Sequence, residues 1–306
     1  MCFESLGGIA WRVVYVDSGS TDGSIELARA MGVEVLALDM RFPFTAARAR
    51  NEGFRRLREL VPEVAYVQFV DGDCQVVAGW IQKAAEWLDV HRDVAGACGR
   101  RRERYPERSV YNMLSDIEWD TPVGEARACG GDALMRVDAF VAVNGFRVDL
   151  IAGEEPELSV RLRAAGWRIW RLDREMTLHD AAMTRFGQWW KRTVRCGYAF
   201  AQGADLHGAP PERHCIRESQ SAWFWGLGIP LGIIVFALWW WTWTPVLLLI
   251  YPLQIVRLAM RGKRTVRENW WRAGFLVLGK FAELCGQVKF LLHRHLGGIP
   301  RLIEYK

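Results

Sequence analysis

The sequence predicts a parallel, three-layer α/β domain that is followed by a membrane-associated segment. Strand-like and helix-like runs alternate between residues 12 and 172, as in proteins whose strands lie side by side under packed helices. Thirty-five residues without a charged side chain follow at 222–256. Neither a P-loop lysine motif nor G-x-G-x-x-G is present, which argues against a P-loop NTPase and a dehydrogenase.

Charge is distributed unevenly along the 306 residues. Residues 1–221 carry 29 Lys and Arg against 32 Asp and Glu, whereas residues 257–306 carry 11 against 3. The pI of 8.9 therefore reflects the tail. Because this basic tail follows an uncharged apolar stretch, we expect it to bind anionic lipid and not nucleic acid.

The cysteines indicate the compartment. There are seven, an odd number without a C-x-x-C pair, which is typical of reduced thiols and not of a disulfide framework. Residues 1–16 lack a basic region followed by a long apolar run, so no signal peptide is expected at this end. Both observations favour the cytosol.

The first predicted unit is β-α-β. The strand Arg12–Val16 ends in D-S-G-S-T-D-G-S at 17–24, a helix with apolar positions at 25–31 follows, and Val33–Leu38 forms the next strand. The loop between them, with Asp17, Ser18 and Asp22, lies at the carboxyl end of a strand, where α/β sheets bind nucleotides. A plain turn is the alternative.

The next predicted helix, Phe44–Leu60, is basic. Most of its arginines are expected to form a solvated face. Arg50 and Asn51 lie near its start and close to the first loop, so they are candidates to reach a diphosphate, since a guanidinium pairs with phosphate oxygens through two hydrogen bonds.

The third strand, at 66–70, stops at two carboxylates in V-Q-F-V-D-G-D-C. Asp71 and Asp73 are separated only by Gly72, so both can face one point beyond the strand. Mg²⁺ and Mn²⁺ prefer such oxygen ligands and complete their coordination with substrate phosphates. A solvated loop or a helix cap is the alternative for a lone D-x-D.

The remaining predicted elements of the domain follow in order. A helix at Trp80–Val90 leads to a strand at Val94–Gly99, and Ala126–Arg136 is a strand whose two glycines admit close approach of a ligand or a backbone. Glu154 and Glu155 then begin a helix, where carboxylates complement the helix dipole.

The uncharged stretch exceeds the roughly 20 residues that one spanning helix needs. We expect two short crossings, Trp223–Trp241 and Val246–Met260, joined at the tryptophan cluster 239–243, or a re-entrant loop. Basic residues flank both ends, which places both ends in the cytosol. The expected segments are therefore 1–221, 222–260 and a basic amphipathic tail 261–306, whose helix Ala273–His295 lies on the membrane or packs on the domain.

In this order the motifs resemble those of the family 2 glycosyltransferases, inverting enzymes with the GT-A nucleotide-sugar fold. The resemblance extends from about Arg12 to about Gly203. The motifs that carry it are V-D-S-G-S-T-D-G-S, A-R-N, V-D-G-D, C-G-G-D-A-L-M-R, N-G-F and G-E-E-P-E-L followed by R-L.

The resemblance implies a role for each motif. A divalent metal, Mg²⁺ or Mn²⁺, would be the cofactor, and a UDP-sugar the donor. The implied catalytic base is Glu155, at a position where many members carry Asp. The implied metal ligands are Asp73 and His179, and the implied nucleotide-sugar contacts are Asp17, Ser18, Asp22, Arg50, Asp71 and Asp132.

The implied acceptor is lipid-linked or a polysaccharide, and the implied location is the inner membrane with the catalytic domain in the cytosol. Residues 1–10 offer only the end of the helix of the family's first β-α unit, so either the start codon lies further upstream or the chain lacks that unit. A non-catalytic membrane scaffold is therefore an alternative, and a nucleotidyltransferase is another. The segment Gln188–Arg192 resembles the Q-x-x-R-W signature of processive synthases but lacks its final Trp, which favours single transfers with Trp189 and Trp190 as an acceptor platform or membrane contact.

Overall fold

A computed structural model of the chain describes residues 2–6 and 12–297. The strands are β1 Val14–Asp17, β2 Glu34–Ala37, β3 Tyr66–Phe69, β4 Cys74–Val76, β5 Val94–Glu103, β6 Gly124–Glu125, β7 Ala133–Arg136 and β8 Arg168–His179. The helices are α1 Cys2–Leu6, α2 Ser24–Ala30, α3 Ala46–Leu60, α4 Trp80–Val90, α5 Val110–Trp119, α6 Val137–Ala142, α7 Glu154–Ala164, α8 Phe186–His207, α9 Ile216–Trp223, α10 Ile229–Trp240, α11 Thr244–Leu248, α12 Ile250–Met260 and α13 Val266–Leu296.

The described residues form two compact units. Unit 1 contains residues 2–104 and 116–181, and unit 2 contains residues 105–115 and those from 182 onwards. The helix α8, which the sequence assigns to the first of three segments, is thus grouped with the C-terminal helices. The three-segment division itself stays a prediction.

Unit 1 is built on a six-stranded mixed sheet with the order β3-β7-β5-β8-β4, to which β6 adds by pairing with β8. Among the strands that the structure describes, only the β5–β8 pair is parallel in this sheet. The prediction of a parallel sheet is therefore wrong. Alternating or buried residue patterns predict a strand but not its direction, which depends on how the connections return the chain to the sheet.

The predicted β-α-β unit at the start is confirmed. β1 and β2 pair in parallel, with Val14 opposite Glu34, and α2 connects them. These two strands form a sheet of their own. The predicted helix end within residues 1–10 is described in part, as α1, while residues 7–11 lie outside the described chain.

The core of unit 1 lies where α3, α4, α6 and α7 meet the large sheet. Trp80 is fully buried, and its indole N–H donates to Gln68 Oε1 at 2.9 Å, which satisfies the only polar atom of that side chain. Phe54, Phe69 and Phe146 surround Phe140, with ring centroids 4.8–5.2 Å apart. This aromatic cluster anchors the elements that lead into the acidic turn after β3.

Unit 2 is helical, and α8 and α13 pack along each other. A Cβ on Gly197 would lie 2.0 Å from the Glu283 carbonyl oxygen, and one on Gly286 would lie 2.0 Å from the Val194 carbonyl oxygen. Glycine is therefore required where these helices cross. The last helix packs on α8 and α12 within unit 2, and its predicted position on the membrane or on the catalytic domain stays a prediction.

The aromatic pair that begins α8 has a different role from the predicted one. Trp189 is buried, and its ring contacts Phe275 of α13 at a centroid distance of 4.7 Å. Gln188 Oε1 accepts hydrogen bonds from the backbone N–H groups of Thr184 and Arg185, at 2.9 and 3.0 Å. The prediction of Trp189 as an acceptor platform is therefore wrong, and the glutamine of the same motif stabilises the helix start.

The apolar stretch forms one helical run, Ile216–Met260, with a mean hydropathy of 2.0 over its most apolar window. By length and composition the run is sufficient to cross a membrane. It bends back at Trp240, whose φ of −134° and ψ of 52° precede a 3₁₀ turn at 241–243. Beyond the bend, the Tyr251 hydroxyl donates to the Trp225 carbonyl oxygen at 2.6 Å. These residues would be about 39 Å apart in a straight helix, so the run folds onto itself.

Candidate functional site

The acidic turn between β3 and β4 is the centre of the candidate site. The N–H of Cys74 donates to the Asp71 carbonyl oxygen at 2.9 Å, which closes the turn around Gly72. The N–H of Asp71 donates to Asp132 Oδ1 at 3.0 Å. This second bond follows from the sheet, because Phe69 pairs with Ala133 and so places the residues that flank the pair beside each other.

The carboxylate of Asp71 binds two arginines. Arg50 Nη2 lies 2.7 Å from Oδ1, and Arg101 Nη2 lies 2.8 Å from Oδ2. Burial alone would raise the pKa of the Asp71 carboxyl, but the guanidinium groups of Arg50 and Arg101 outweigh it and hold that pKa well below its usual range. Asp71 is therefore an ionised anchor for two cations of the chain itself.

Arg50 joins three elements of unit 1. Besides Asp71, its guanidinium contacts Glu154 Oε1 at 3.0 Å and Glu155 Oε1 at 2.7 Å. Burial lowers the pKa of Arg50, yet the nearby carboxylates, Glu155 first, raise it well above its usual value. Arg50, which the sequence predicts to contact phosphate, is thus surrounded by carboxylates. Its contacts also bring the start of α7 to the acidic turn.

Gly131 closes one side of this ion cluster. A Cβ there would lie 2.8 Å from Arg50 Nη2, 3.0 Å from Asp71 Oδ2 and 3.1 Å from Glu155 Oε1. The close approach that the sequence predicts at the two glycines therefore exists, and it is an approach to charged side chains. At Gly130 the nearest atom, Arg101 Nη1, would be 4.0 Å away.

Gly131→Ala is expected to lower turnover at this site by about tenfold to a hundredfold, since small displacements of reacting groups have effects of that size. The atoms that must move are ends of side chains, so thermal unfolding should change little. Kinetics and calorimetry on the same preparation check both statements. Gly130→Ala is the matched control, and a similar loss in that variant would refute the explanation.

Asp132 is a buried residue that fixes the positions of its neighbours in the site. Its side chain is fully buried, and Oδ2 accepts from the Thr177 hydroxyl at 2.7 Å and lies 3.0 Å from Arg101 Nε. In this structure Asp132 therefore holds Asp71, Arg101 and Thr177 in place, whereas the sequence suggests direct donor contact. That predicted contact stays a prediction.

Arg101 is the main residue that the sequence reasoning missed. The predicted strand ends at Gly99, but β5 continues to Glu103 and carries three consecutive arginines. Alternation along the strand turns Arg101 toward Asp71, while Arg100 binds Asp116 at 2.9 Å on the other side. The available signal was the run of three consecutive arginines directly after Gly99, since a strand extended through it places Arg101 on the face opposite to Arg100 and Arg102.

Asp73 and His179, the two predicted metal ligands, lie side by side in the structure. Cys74 lies opposite His179 in the β4–β8 pair, and this register brings Asp73 Oδ1 to 3.1 Å from His179 Nε2. The ligand atoms of Asp71, Asp73, Cys74 and His179 all lie within 4.8 Å of one another. Carboxylate oxygens with one imidazole suit Mn²⁺ or Mg²⁺, so the donor set fits a divalent cation.

The loop after β1 has the geometry of a fixed turn. The buried carboxylate of Asp17 accepts from the backbone N–H of Gly19 at 2.8 Å and of Ser20 at 3.2 Å. Burial raises the pKa of Asp17, but hydrogen bonds from Ser20 and Gly19 lower it overall. Ser18 is exposed, as is Asp22, whose carboxylate accepts from the Ser24 hydroxyl at 2.6 Å. The loop is preorganised, and its role in donor binding stays a prediction.

Asn51 has a structural role. Its side chain donates to the Phe146 carbonyl oxygen at 2.7 Å and accepts from the Phe146 N–H at 3.0 Å. The interpretation of Asn51 as a diphosphate contact is therefore wrong. Asn51 instead fixes the N-G-F turn, where Gly145 has a φ of +63°.

Comparisons with known proteins bear on the family and the fold. Residues 2–143 match the model of glycosyl transferase family 2. The chain is 31% identical to the succinoglycan biosynthesis protein ExoA of Rhizobium meliloti (strain 1021) over 179 residues, which is 56% of this chain. It spans about half the length of that relative, 54%.

Solved structures agree in fold. The chain is similar to the mannosyltransferase PcManGT from Pyrobaculum calidifontis, a structure in complex with GDP-Man and Mn²⁺, at a TM-score of 0.53 and 18% identity, covering 92% of this chain and 77% of that one. Staphylococcus aureus TarS, in complex with UDP-GlcNAc, gives a TM-score of 0.49 at 15% identity, with 96% and 87% covered. The similarity to the mannosyltransferase and the strand pairing described above together give a GT-A-like fold with a mixed sheet. Over residues 2–143, just under half of its length, the chain is similar to glycosyl transferase family 2.

Proposed function

We propose that this protein is a membrane-attached, inverting glycosyltransferase that moves a sugar from a nucleotide-diphosphate donor, a UDP-sugar, to a lipid-linked or polysaccharide acceptor. One observation carries the proposal. Arg50 contacts both Asp71 and Glu155, so the acidic turn and the candidate base lie at one point of unit 1. A transferase needs a diphosphate-binding group and a base within reach of one anomeric carbon.

Glu155 is the proposed catalytic base. Its Oε1 is held by Arg50 at 2.7 Å, which orients the carboxylate. The proposed step transfers the proton of an acceptor hydroxyl to Glu155 while that oxygen bonds to the anomeric carbon and the nucleoside diphosphate leaves. Attack on the side opposite the leaving group inverts the anomeric configuration.

The diphosphate side of the site is assigned to Asp73 and His179. These residues would hold Mg²⁺ or Mn²⁺, which supplies positive charge for the departing diphosphate when bound. The preorganised Asp17 loop, with Ser18 and Asp22, would bind the base and ribose at the carboxyl end of β1. Through its contacts with Asp71 and Glu155, Arg50 keeps the acidic turn and the proposed base at a fixed distance from each other while the donor is bound.

A panel of nucleotide sugars tests the donor assignment, because slow hydrolysis of the donor needs no acceptor. We expect Mn²⁺-dependent release of UDP from a UDP-sugar, ahead of GDP- and dTDP-sugars. Calorimetry should show UDP binding that requires Mn²⁺. Absence of metal-dependent binding by the full-length chain would favour the scaffold, and release of pyrophosphate would indicate a nucleotidyltransferase.

The acceptor assignment rests on the membrane segment and on the relative. The side chains of Leu238, Trp239 and Trp241 are each about three quarters exposed, at 76%, 75% and 76%. A run of such residues is typical of contact with lipid. The name of the Rhizobium meliloti relative supports a role in polysaccharide synthesis. We place the protein in the inner membrane with its catalytic residues on the cytosolic side.

The fold-back of the helical run predicts a hairpin topology. The limb before the bend, 224–240, has a length of about 25 Å, slightly less than the roughly 30 Å hydrocarbon core. Reporters fused after Ser221 and after Lys306 should therefore both report cytosol, and Thr242→Cys should react with an impermeant maleimide added from the opposite side.

The unsubstituted chain, with its native cysteines, is the control for this labelling. A periplasmic signal from the fusion after Lys306 would mean one crossing and would contradict the hairpin. Cytosolic ends without labelling at residue 242 would instead favour the re-entrant form, in which the bend stays inside the bilayer.

A further inference from the structure

His179 lacks the hydrogen bond that usually orients a metal-binding histidine. Its Nε2 faces Asp73, while its Nδ1 is buried and has no hydrogen-bond partner within the described residues. Metal-binding imidazoles generally donate their second N–H to a carboxylate, a carbonyl or a water, and this bond sets the ring orientation. Another contact must therefore orient the ring of His179.

Trp119, the last residue of α5, contacts that ring. The centroids of Trp119 and His179 are 4.8 Å apart with an interplanar angle of 75°. The guanidinium carbon of Arg101 lies 5.2 Å from the Trp119 ring centroid, in a cation–π position. One half-buried indole thus touches both the candidate metal ligand and the arginine that binds Asp71.

The end of α5 is anchored without Trp119. Asp116, one turn earlier, accepts from the backbone N–H of Glu103 at 3.0 Å and pairs with Arg100 at 2.9 Å. Asp120, the next residue after Trp119, lies 3.4 Å from Arg100 Nε. Because these bonds hold the helix end against β5, the indole is not needed to keep α5 in place.

We propose that Trp119 is a positioning residue for the metal side of the site. Packing against its ring sets the rotamer of His179, in place of a hydrogen bond to Nδ1, and the same ring steadies Arg101 beside Asp71. The inference rests on the proposed function, since it assumes that Asp73 and His179 hold a divalent cation. It predicts that an aromatic ring at position 119 is required for metal affinity.

The test measures Mn²⁺ affinity of the full-length protein, by electron paramagnetic resonance of free Mn²⁺, and then donor turnover. We expect Trp119→Leu to weaken Mn²⁺ binding by about tenfold, the lower end of effects seen when ligand-orienting groups are lost. Trp119→Phe should stay within about twofold. At saturating Mn²⁺ the turnover of Trp119→Leu should recover, because the ring acts through metal affinity and not through the chemical step.

Trp87→Leu is the matched control. Trp87 also stacks on a histidine, His91, with centroids 3.7 Å apart, and it is not among the groups around the acidic turn. If Trp119→Leu does not fold, Trp119→Met fills similar space without a ring and carries the same tenfold expectation.

Unchanged Mn²⁺ affinity in Trp119→Leu, or equal losses in Trp119→Phe and Trp119→Leu, would overturn the inference and leave the proposed function standing. Failure of the unsubstituted protein to bind Mn²⁺ would overturn both.

Discussion

Asp73→Ala is expected to abolish Mn²⁺-dependent donor binding and sugar transfer. Because Asp71 is already paired with Arg50 and Arg101, we assign the divalent cation to Asp73 and His179. A cation that keeps few protein ligands loses most of its affinity with one carboxylate. Calorimetric titration of UDP with and without Mn²⁺ measures this effect directly.

Asp93→Ala is the control for this substitution. It also removes a carboxylate that pairs with an arginine, Arg168 at 3.0 Å, but on an exposed part of unit 1. Its donor binding should equal that of the unsubstituted protein. If Asp73→Ala retained Mn²⁺-dependent UDP binding, the metal assignment would have to move to other residues of the acidic turn.

Glu155→Gln should leave donor binding nearly intact while transfer falls by about a hundredfold to ten-thousandfold, the usual contribution of a general base. The amide has the same shape and can still accept a hydrogen bond from Arg50, but it cannot take a proton. Loss in the maximal rate without a change in donor affinity is the signature of an interaction made in the transition state.

Glu154→Gln is a closely matched comparison. Glu154 contacts the same Arg50 nitrogen, at 3.0 Å against 2.7 Å for Glu155, so each variant removes one carboxylate from Arg50. Only Glu155→Gln should stop the chemistry. Normal transfer by Glu155→Gln together with a collapse in Glu154→Gln would assign the base to Glu154. Equal loss of donor binding in both would refute the division of roles.

The sequence predicts local elements of this fold well. The helix Trp80–Val90 has the bounds that its apolar spacing indicates, and the β-α-β unit around α2 is present. The acidic turn, Arg50 and Glu155 are separate motifs, yet the structure brings them together, as their order along an α/β chain suggests. These features follow from periodicity, turn residues and the tendency of α/β sites to collect at strand ends.

Features that depend on long-range pairing were not predictable in the same way. The direction of β7 depends on where the chain re-enters the sheet, and the use of Asn51 depends on the N-G-F turn 95 residues away. Trp189 has the appearance of a surface tryptophan in sequence, because its partner Phe275 is on a distant helix. Local patterns do not contain such partners.

The ion cluster around Arg50 also sets an order of events. Arg50 and Arg101 contribute two positive formal charges, whereas Asp71, Asp132, Glu154 and Glu155 contribute four negative ones. The excess of two negative charges repels the diphosphate of an incoming donor, and Asp73 adds to it. The donor without a cation therefore binds this site poorly. The species that binds productively is the donor whose diphosphate charge is already compensated by a bound cation.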